Sequence, residues 1–280
     1  MRPEAHNAVA INASIMNPYH IELPAVINLS GGRSSGFMLN NILRAYGGKL
    51  PDEAEVIFTN TGLEHFETYE FIHRLELNWC PVVWLEYDLS PDGKPCFSIV
   101  THETASRNGE PFSRLIDKKK YLPNPVARIC TLNMKIITVQ KYMDTTYGMK
   151  VWNKVLGLRA EETKRVSRMR DMPDVSMPIA DAGDTKEDVT QFWDGHPLDL
   201  GLPLIGNILS NCVGCYLKSY QSLEEIGRSD PEHLAWWKEK EQQTGNRFRN
   251  DRPDYETILR NGYRQPNFDF DESIDCFCTD

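Results

Sequence analysis

The sequence predicts an α/β fold, a mainly parallel sheet flanked by helices, followed by a mostly helical region that carries cysteines. Three observations point there. Short apolar runs alternate with helix-periodic stretches between residues 24 and 158. A Gly/Ser turn joins the first run to the first helical stretch. From about residue 171 the alternation gives way to proline-punctuated sequence and then to charged helical sequence. The divisions that follow are an arm (1–23), an α/β domain (24–170) and a helical, cysteine-containing region (171–280).

The elements read in order as follows. Residues 1–23 are polar and weakly patterned, an extended arm or a short helix. Ala25 to Leu29 is a short buried strand, and Ser30 to Ser35 a turn. Phe37, Leu39, Ile42, Leu43 and Tyr46 recur at helical spacing until Gly47-Gly48 stops the helix. Residues 55–60 form a second strand, 65–78 a helix and 81–87 a third strand. Residues 88–130 hold five prolines and predict loops and short helices. A helix over 132–147 and a fourth strand over 151–158 follow, then a short helix at 186–193 and one or two helices within 220–243.

Composition narrows the class. The chain has 280 residues, 40% hydrophobic and 25% charged, which excludes disorder as its main state. No window of about 18 apolar residues predicts a membrane span. The N-terminus lacks a basic stretch followed by an apolar core, so no secretory signal is read and a cytoplasmic location is expected. A net charge of −9 argues against a general nucleic-acid coater, leaving two local basic stretches, Lys118 to Lys120 and Lys164 to Arg170. The cysteines are Cys80, Cys96, Cys130, Cys212, Cys215, Cys276 and Cys278. An odd count without an export signal argues for metal or redox chemistry over a disulfide framework. Cys80 and Cys96 read as structural, and His65 and His73 as surface or satisfied histidines.

The turn Ser30-Gly31-Gly32-Arg33-Ser34-Ser35-Gly36 lies between a strand and a helix. Backbone N–H groups and the helix dipole favour an anion there, and glycine lets the backbone approach it. The segment is neither a Walker A loop nor a G-x-G-x-x-G fingerprint. A ligand-free Gly/Ser turn is the plain alternative.

This S-G-G-x-x-S turn after the first strand resembles the pyrophosphate loop of the PP-loop ATP pyrophosphatases, a superfamily with the adenine nucleotide alpha hydrolase-like fold that includes the PAPS reductase family. Two further segments are similar to that branch. Thr59-Asn60-Thr61-Gly62 with Glu67-Thr68 resembles its "DTG…ET" pattern, and Gly157-Leu158-Arg159-Ala160-Glu161-Glu162-Thr163 with Arg165 resembles its "G-hydrophobic-R-A-x-E-S…R" pattern. The resemblance implies that Ser30, Gly31, Gly32, Arg33, Ser34 and Ser35 cradle phosphates, and that Asn60 and Thr61 lie near the adenosine. It implies that Gly157, Arg159 and Glu161 close over the nucleotide. Arg33, Lys135, Arg159 and Arg165 would supply catalytic charge. Arg33 departs from the lysine common in the pyrophosphatases, and Asn60 from the commoner aspartate, which puts the metal and ribose contacts in doubt.

Cys212-Val213-Gly214-Cys215 is a CxxC, which serves redox, zinc or iron–sulfur sites. Cys130-Thr131 with Lys135 resembles the "C-T-x-x-x-K" segment of iron–sulfur members of the PAPS reductase family. That resemblance implies a [4Fe-4S] cluster on Cys130, Cys212, Cys215 and one of Cys276 or Cys278, with zinc as the alternative occupant. The chain looks most similar to the iron–sulfur ATP pyrophosphatases of DNA phosphorothioation systems and to phage-encoded proteins of the PAPS reductase family. The implied cofactors are ATP, Mg²⁺ and the cluster. The implied partners are a cysteine desulfurase as sulfur donor and a DNA or tRNA acceptor, presented locally or by another subunit. No membrane partner is implied, and a homodimer fits the family. A PAPS or adenylylsulfate reductase, a tRNA thiolation enzyme and a non-catalytic nucleotide sensor with structural zinc are the rival readings.

Overall fold

A four-residue run buried on both faces, Ala25–Asn28 (β1), occupies the middle of a six-stranded sheet. A computed structural model describes residues 17–203 and 206–262. The strand order is β4-β3-β2-β1-β5-β6, with β2 Ala54–Asn60, β3 Val83–Leu89, β4 Pro95–Val100, β5 Asn153–Val155 and β6 Val175–Ser176. Every pairing is parallel except β3 with β4. The α/β class read from the sequence is the observed one.

Helices cover both faces. Helices α1 (Arg33–Ala45), α2 (Phe66–Asn78) and α7 (Lys186–Trp193) pack on one, their buried residues merging with Ile27, Val56, Phe58 and Trp84 of the sheet. Helix α4 (Thr138–Tyr147) covers the other, with Val139, Tyr142 and Met143 against Val26, Ile57 and Leu85. Each large apolar side chain so buried contributes about 1.5–3 kcal/mol. The sheet and its helices continue past residue 171: β6 is its last strand, and Ile179 of α6 (Pro178–Ala182), Val189, Trp193 and Leu200 share the core of α1 and α2. Tyr19 and Ile21, at the end of the predicted arm, are buried in the same core.

A second core lies in the helices α3 (Glu110–Lys119), α8 (Tyr220–Ser229), α9 (Glu232–Thr244) and α10 (Tyr255–Gly262), with Trp237, Phe248, Tyr255 and Tyr216 at its centre. Among the described residues no helix is long and apolar enough to cross a membrane.

The structure corrects three expectations. Residues 88–130 contain β4, a strand whose Pro95 is tolerated because it opens an edge strand. The helix read over 132–147 begins as a π-helical segment, Thr131–Ile137, which the apolar period does not separate from an α-helix. The fourth strand shortens to three residues. Within 220–243 two helices form, separated at Asp230-Pro231, where Pro231 is the N-cap of α9.

Candidate active site

The sheet order sets the location. The chain leaves β1 toward β2 on one side, whereas β5 lies on the other, so the connections after β1 and β5 diverge. Such a switch point opens a crevice outside the carboxyl ends of the strands. A cleft of about 750 Å³ lies there. Asn28 at the end of β1, Leu29 and Ser30 after it, Thr59 of β2 and Leu156 after β5 form its floor. Leu132, Ile136, Trp152, Met169 and Met172 give it apolar walls, and Arg128, Lys135, Lys150 and Lys154 bring cations to it.

The Gly/Ser turn enters helix α1 beside this cleft. Gly32 is the extended N-cap of α1 and makes no side-chain cap, so the first-turn N–H groups are placed for an acceptor from outside. The Ser35 hydroxyl holds the turn. The Ser30 N–H donates to Ser35 Oγ at 3.2 Å, and Ser35 Oγ donates to the Gly32 carbonyl at 2.9 Å. Gly31 adopts φ +83° and a Cβ there would sit 2.4 Å from Thr68 Cγ2. The turn therefore needs glycine both for its backbone and for its fit against α2. Thr68 belongs to the second-strand pattern read from the sequence, and its buried hydroxyl has no hydrogen-bond partner.

Gly157 and Arg159 close over the turn from the β5 side. A Cβ on Gly157 would lie 3.1 Å from Ser35 Cα, so any larger residue would push the two segments apart by a few tenths of an ångström. Arg159 Nη1 donates to Ser34 Oγ at 2.7 Å and its Nε to Glu161 Oε1 at 2.8 Å. Glu162 Oε2 accepts the Arg159 N–H at 2.8 Å, while Glu162 Oε1 pairs with Arg165 on helix α5 (Thr163–Arg170). The Glu161 carboxyl lies below its ordinary pKa: burial pushes it up, but backbone N–H groups and Arg159 outweigh that. The turn, Gly157, Arg159, Glu161 and Arg165 thus form one contiguous assembly.

Other predicted residues lie elsewhere. Arg33 turns to Asp199, donating through Nε at 2.8 Å and Nη2 at 2.5 Å, and its carbonyl accepts the Trp193 indole N–H at 2.8 Å. It fastens the turn to the 193–200 segment and does not line the cleft. Asn60 is buried and held on both sides: its amide donates to Glu86 and the Ser106 carbonyl, and its oxygen accepts from Gly62 N–H and the Tyr69 hydroxyl. Thr59, one residue earlier, faces the cleft instead. Thr61 points the other way, to Glu64 Oε1 at 2.7 Å and to Cys212 Sγ at 3.1 Å.

The cysteines gather on the helical core. Cys130, Cys212 and Cys215 all pack against the cluster of Trp237, Phe248 and Tyr255. Cys130 Sγ lies 3.4 Å from the hydroxyl of Tyr216, the residue after Cys215. The CxxC is a tight turn: the Cys215 N–H donates to the Cys212 carbonyl at 3.1 Å, and Asn211 before it has φ +54°. Gly214 is fixed by a close approach, since a Cβ would meet Trp237 Nε1 at 2.2 Å. Arg252 is buried beside this turn, donating to the Tyr216 and Lys218 carbonyls at 2.7 Å each. Burial lowers its pKa and Arg249 adds to that, while Tyr255, Cys215 and Asp251 only partly oppose it. Thiolates are the usual ligands of zinc and of iron–sulfur clusters, so Cys130, Cys212 and Cys215 are the described residues that could hold such a group. Cys276 and Cys278, the predicted fourth ligands, lie outside the described residues. Cys80 and Cys96 remain apart, and burial pushes the Cys80 thiol up to about 11, the state of an inert cysteine. The sequence reading missed Arg252, Tyr216, Trp152 and Glu64, which carry no motif of their own.

The π-helical segment joins the two halves of the site. It begins after Cys130 and carries Leu132, Lys135 and Ile136 into the cleft wall. Single π turns of this kind recur at functional sites.

No family model matches the chain. The chain is 30% identical over 205 residues to the uncharacterized nin region protein ORF290 of Escherichia phage lambda, across 71% of this chain and 67% of that protein. The chain belongs to the ORF290 family. Among solved structures, the phosphate complex of phosphoadenylyl-sulfate (PAPS) reductase from Candida auris covers 65% of this chain and 80% of its own, at TM-score 0.37 and 12% identity. The ORF290 relative is itself described as uncharacterized, so activity has to come from the residues of the site.

Proposed function

We propose that this ORF290-family protein is a PP-loop ATP pyrophosphatase that activates an acceptor for sulfur transfer, with DNA as the acceptor. The observation that carries the reading is the assembly of the Ser30–Ser35 turn, Gly157 and Arg159 at the mouth of a cleft with one apolar wall and several cations. The turn's N–H groups and the α1 dipole would hold the phosphates. Arg159, and Lys135 from the opposite wall, would offset charge developing during phosphoryl transfer. The apolar wall of Trp152, Ile136 and Met172 suits an adenine ring.

In this reaction an acceptor oxygen forms a bond to the α-phosphorus of Mg²⁺-ATP, and the bond to pyrophosphate breaks. The acceptor is then adenylated; a thiol reductant, itself oxidised to a disulfide, releases the persulfide sulfur of a cysteine desulfurase as sulfide, and this sulfide forms the new bond to the acceptor phosphorus as AMP leaves. Cys130, Cys212 and Cys215, with a fourth ligand from the C-terminal cysteines, would hold a [4Fe-4S] cluster, or zinc in its place. Bound there, a cluster would supply a docking point for sulfide. Arg252 would balance the charge of the thiolates. The chain's net charge of −9 favours DNA brought in by another subunit.

A second reading is a reductase of adenylylated sulfate. The four cations at the cleft support it, because they suit a nucleotide carrying phosphate beyond the turn. The two readings separate in one assay on anaerobically purified protein. The pyrophosphatase releases AMP and pyrophosphate from ATP. The reductase releases sulfite with a thiol reductant and leaves ATP intact. In either case Arg159→Ala should lower kcat/KM at least 100-fold with the fold retained. Iron and sulfide at about four each per chain, lost in Cys212→Ser, is the expected metal content. One zinc and no iron would overturn the cluster.

A further inference from the structure

A net charge of −9 confines any nucleic-acid contact to local basic surface, and the sequence holds two such stretches, Lys118 to Lys120 and Lys164 to Arg170. The fold brings both to one end of the sheet. The carboxyl ends of β1, β2 and β5 open into the cleft, and the hairpin between β3 and β4 turns at that same end. Lys118 lies against the hairpin, its Nζ 3.6 Å from the point where a Cβ on Gly93 would sit. Helix α5 follows β5, carries the second stretch and brings Met169 to the cleft wall. Lys164 and Arg168, four residues apart and exposed, share the helix face beside Met169. From β3 across β2 and β1 to β5 is about 14 Å. The two stretches therefore flank the cleft at short range.

The first stretch also runs on into the cleft. Pro125 follows Lys120 within about 18 Å of chain, and Pro125, Val126 and Arg128 line the cleft. Cations suit the carboxyl end of a helix, which accounts for Lys118 and Lys119 in the last turn of α3. It does not account for Lys120, the C-cap with φ 62°, a position that glycine usually fills. Nearby carboxylates are taken by other cations: Asp92 pairs with Lys94 at 2.6 Å and Asp88 with Arg114 at 3.3 Å. Apolar side chains alternate with these cations in the open. Tyr121 is 42% exposed, Val126 96% and Leu132 50%. A duplex keeps its bases stacked inside and has no use for such a row. A single strand lays its bases on aromatic and apolar faces and its phosphates on cations.

We propose that single-stranded DNA lies along the carboxyl edge of the sheet, with phosphates on Lys118 to Lys120 at one rim of the cleft and on Lys164 and Arg168 at the other. Tyr121 and Val126 carry bases between the first rim and the cleft. The choice of DNA rests on the sulfur-transfer reading above, in which a DNA oxygen is the acceptor. The path sets a backbone phosphate over the cleft mouth, between Arg128 and the Ser30–Ser35 turn.

The test is fluorescence anisotropy of a labelled single-stranded DNA of about 12 nucleotides on the full chain, without ATP, over a salt series. Binding should weaken linearly on a log–log plot as salt rises. Lys118→Glu, Lys119→Glu and Lys120→Glu together should weaken it about tenfold or more and make the salt slope shallower by about 2. Lys164→Glu with Arg168→Glu should make it shallower by about 1.4. Tyr121→Ala should cost about fivefold with the slope unchanged, a result that a surface of charge alone would not give. Lys49→Glu, exposed before β2 at the opposite edge of the sheet, should bind as the unmodified chain does. No binding at about 50 mM salt, unchanged affinity in both charge-reversed variants, or a preference for duplex DNA or for RNA of the same sequence would each overturn the proposal. The assay involves no turnover, so the two readings fail separately. DNA binding without pyrophosphate release from ATP would keep this surface and remove the pyrophosphatase, and release without binding would do the opposite.

Discussion

Gly31 shows how a single residue ties backbone, packing and site together. Its φ of +83° is strained for any side chain, and an added Cβ would also strike Thr68 Cγ2 at 2.4 Å. Gly47, at the end of α1, has a similar φ of +70° but nothing within 4 Å. Gly31→Ala should therefore destabilise by about 2–4 kcal/mol and Gly47→Ala by about 1 kcal/mol, the difference being the overpacking cost. Urea unfolding of the two variants measures it, and equal losses would remove the argument that α2 shapes the turn. The same scale explains where the sequence was legible. A short motif such as S-G-G-x-x-S marks backbone geometry directly, because few residues satisfy it. The direction of a long side chain is not encoded locally: Arg33 turns to Asp199, 166 positions away in sequence, and Asn60 is drawn inward by Glu86 and Ser106.

At the scale of the element, the π-helical segment Thr131–Ile137 is the one that the apolar period hides. Its extra residue per turn sets the angle between Cys130, which faces Tyr216, and Lys135, which lies at the cleft. Asn133 fastens it, donating from Nδ2 to the Ile129 carbonyl at 2.8 Å and accepting the Thr138 hydroxyl on its own carbonyl at 2.9 Å. Deleting Leu132 would allow a regular α-helix and rotate Cys130 by about 100° relative to Lys135. We expect the deletion variant to keep its helical circular dichroism and lose cysteine-bound metal. Full metal content in that variant would show that the π geometry is not needed at the cysteines. Edge strand β4 was hidden for a different reason. Proline is a reliable sign against a central strand but not against the first position of an edge strand, where its missing N–H has no partner to lose. Strands β1 to β3 were legible because burial on both faces demands continuous apolar runs.

For the whole molecule, the question is what joins the sheet to the helical core that carries the CxxC. One junction is backbone: the Val213 N–H donates to the Leu63 carbonyl at 2.9 Å, and Glu64 bridges to Cys212. Another is the stacked pair His65, at the N-terminus of α2, and His233 on α9, with ring centroids 5.2 Å apart. Burial lowers the pKa of His65, the charge of His233 lowers it further, and Asp230 and Glu67 only partly oppose this. A histidine whose folded pKa lies below its unfolded value of about 6.5 contributes stability in its neutral form. That contribution is present above the unfolded pKa and is lost as pH falls through the folded one. Protonation would also place a charged His65 ring against the stacked His233 ring, with Asp230 as the carboxylate nearest both, on a ring whose Nδ1 already accepts the Glu67 N–H. The protein should therefore unfold at lower urea at pH 5.5 than at pH 7.5. His65→Asn keeps an N-cap acceptor for Glu67 and removes the titrating ring, so its loss between the two pH values should be smaller. If the variant and the unmodified protein lose equally, the pH sensitivity lies elsewhere and the two cores are joined through the Leu63–Val213 backbone pairing without a protonation switch between them.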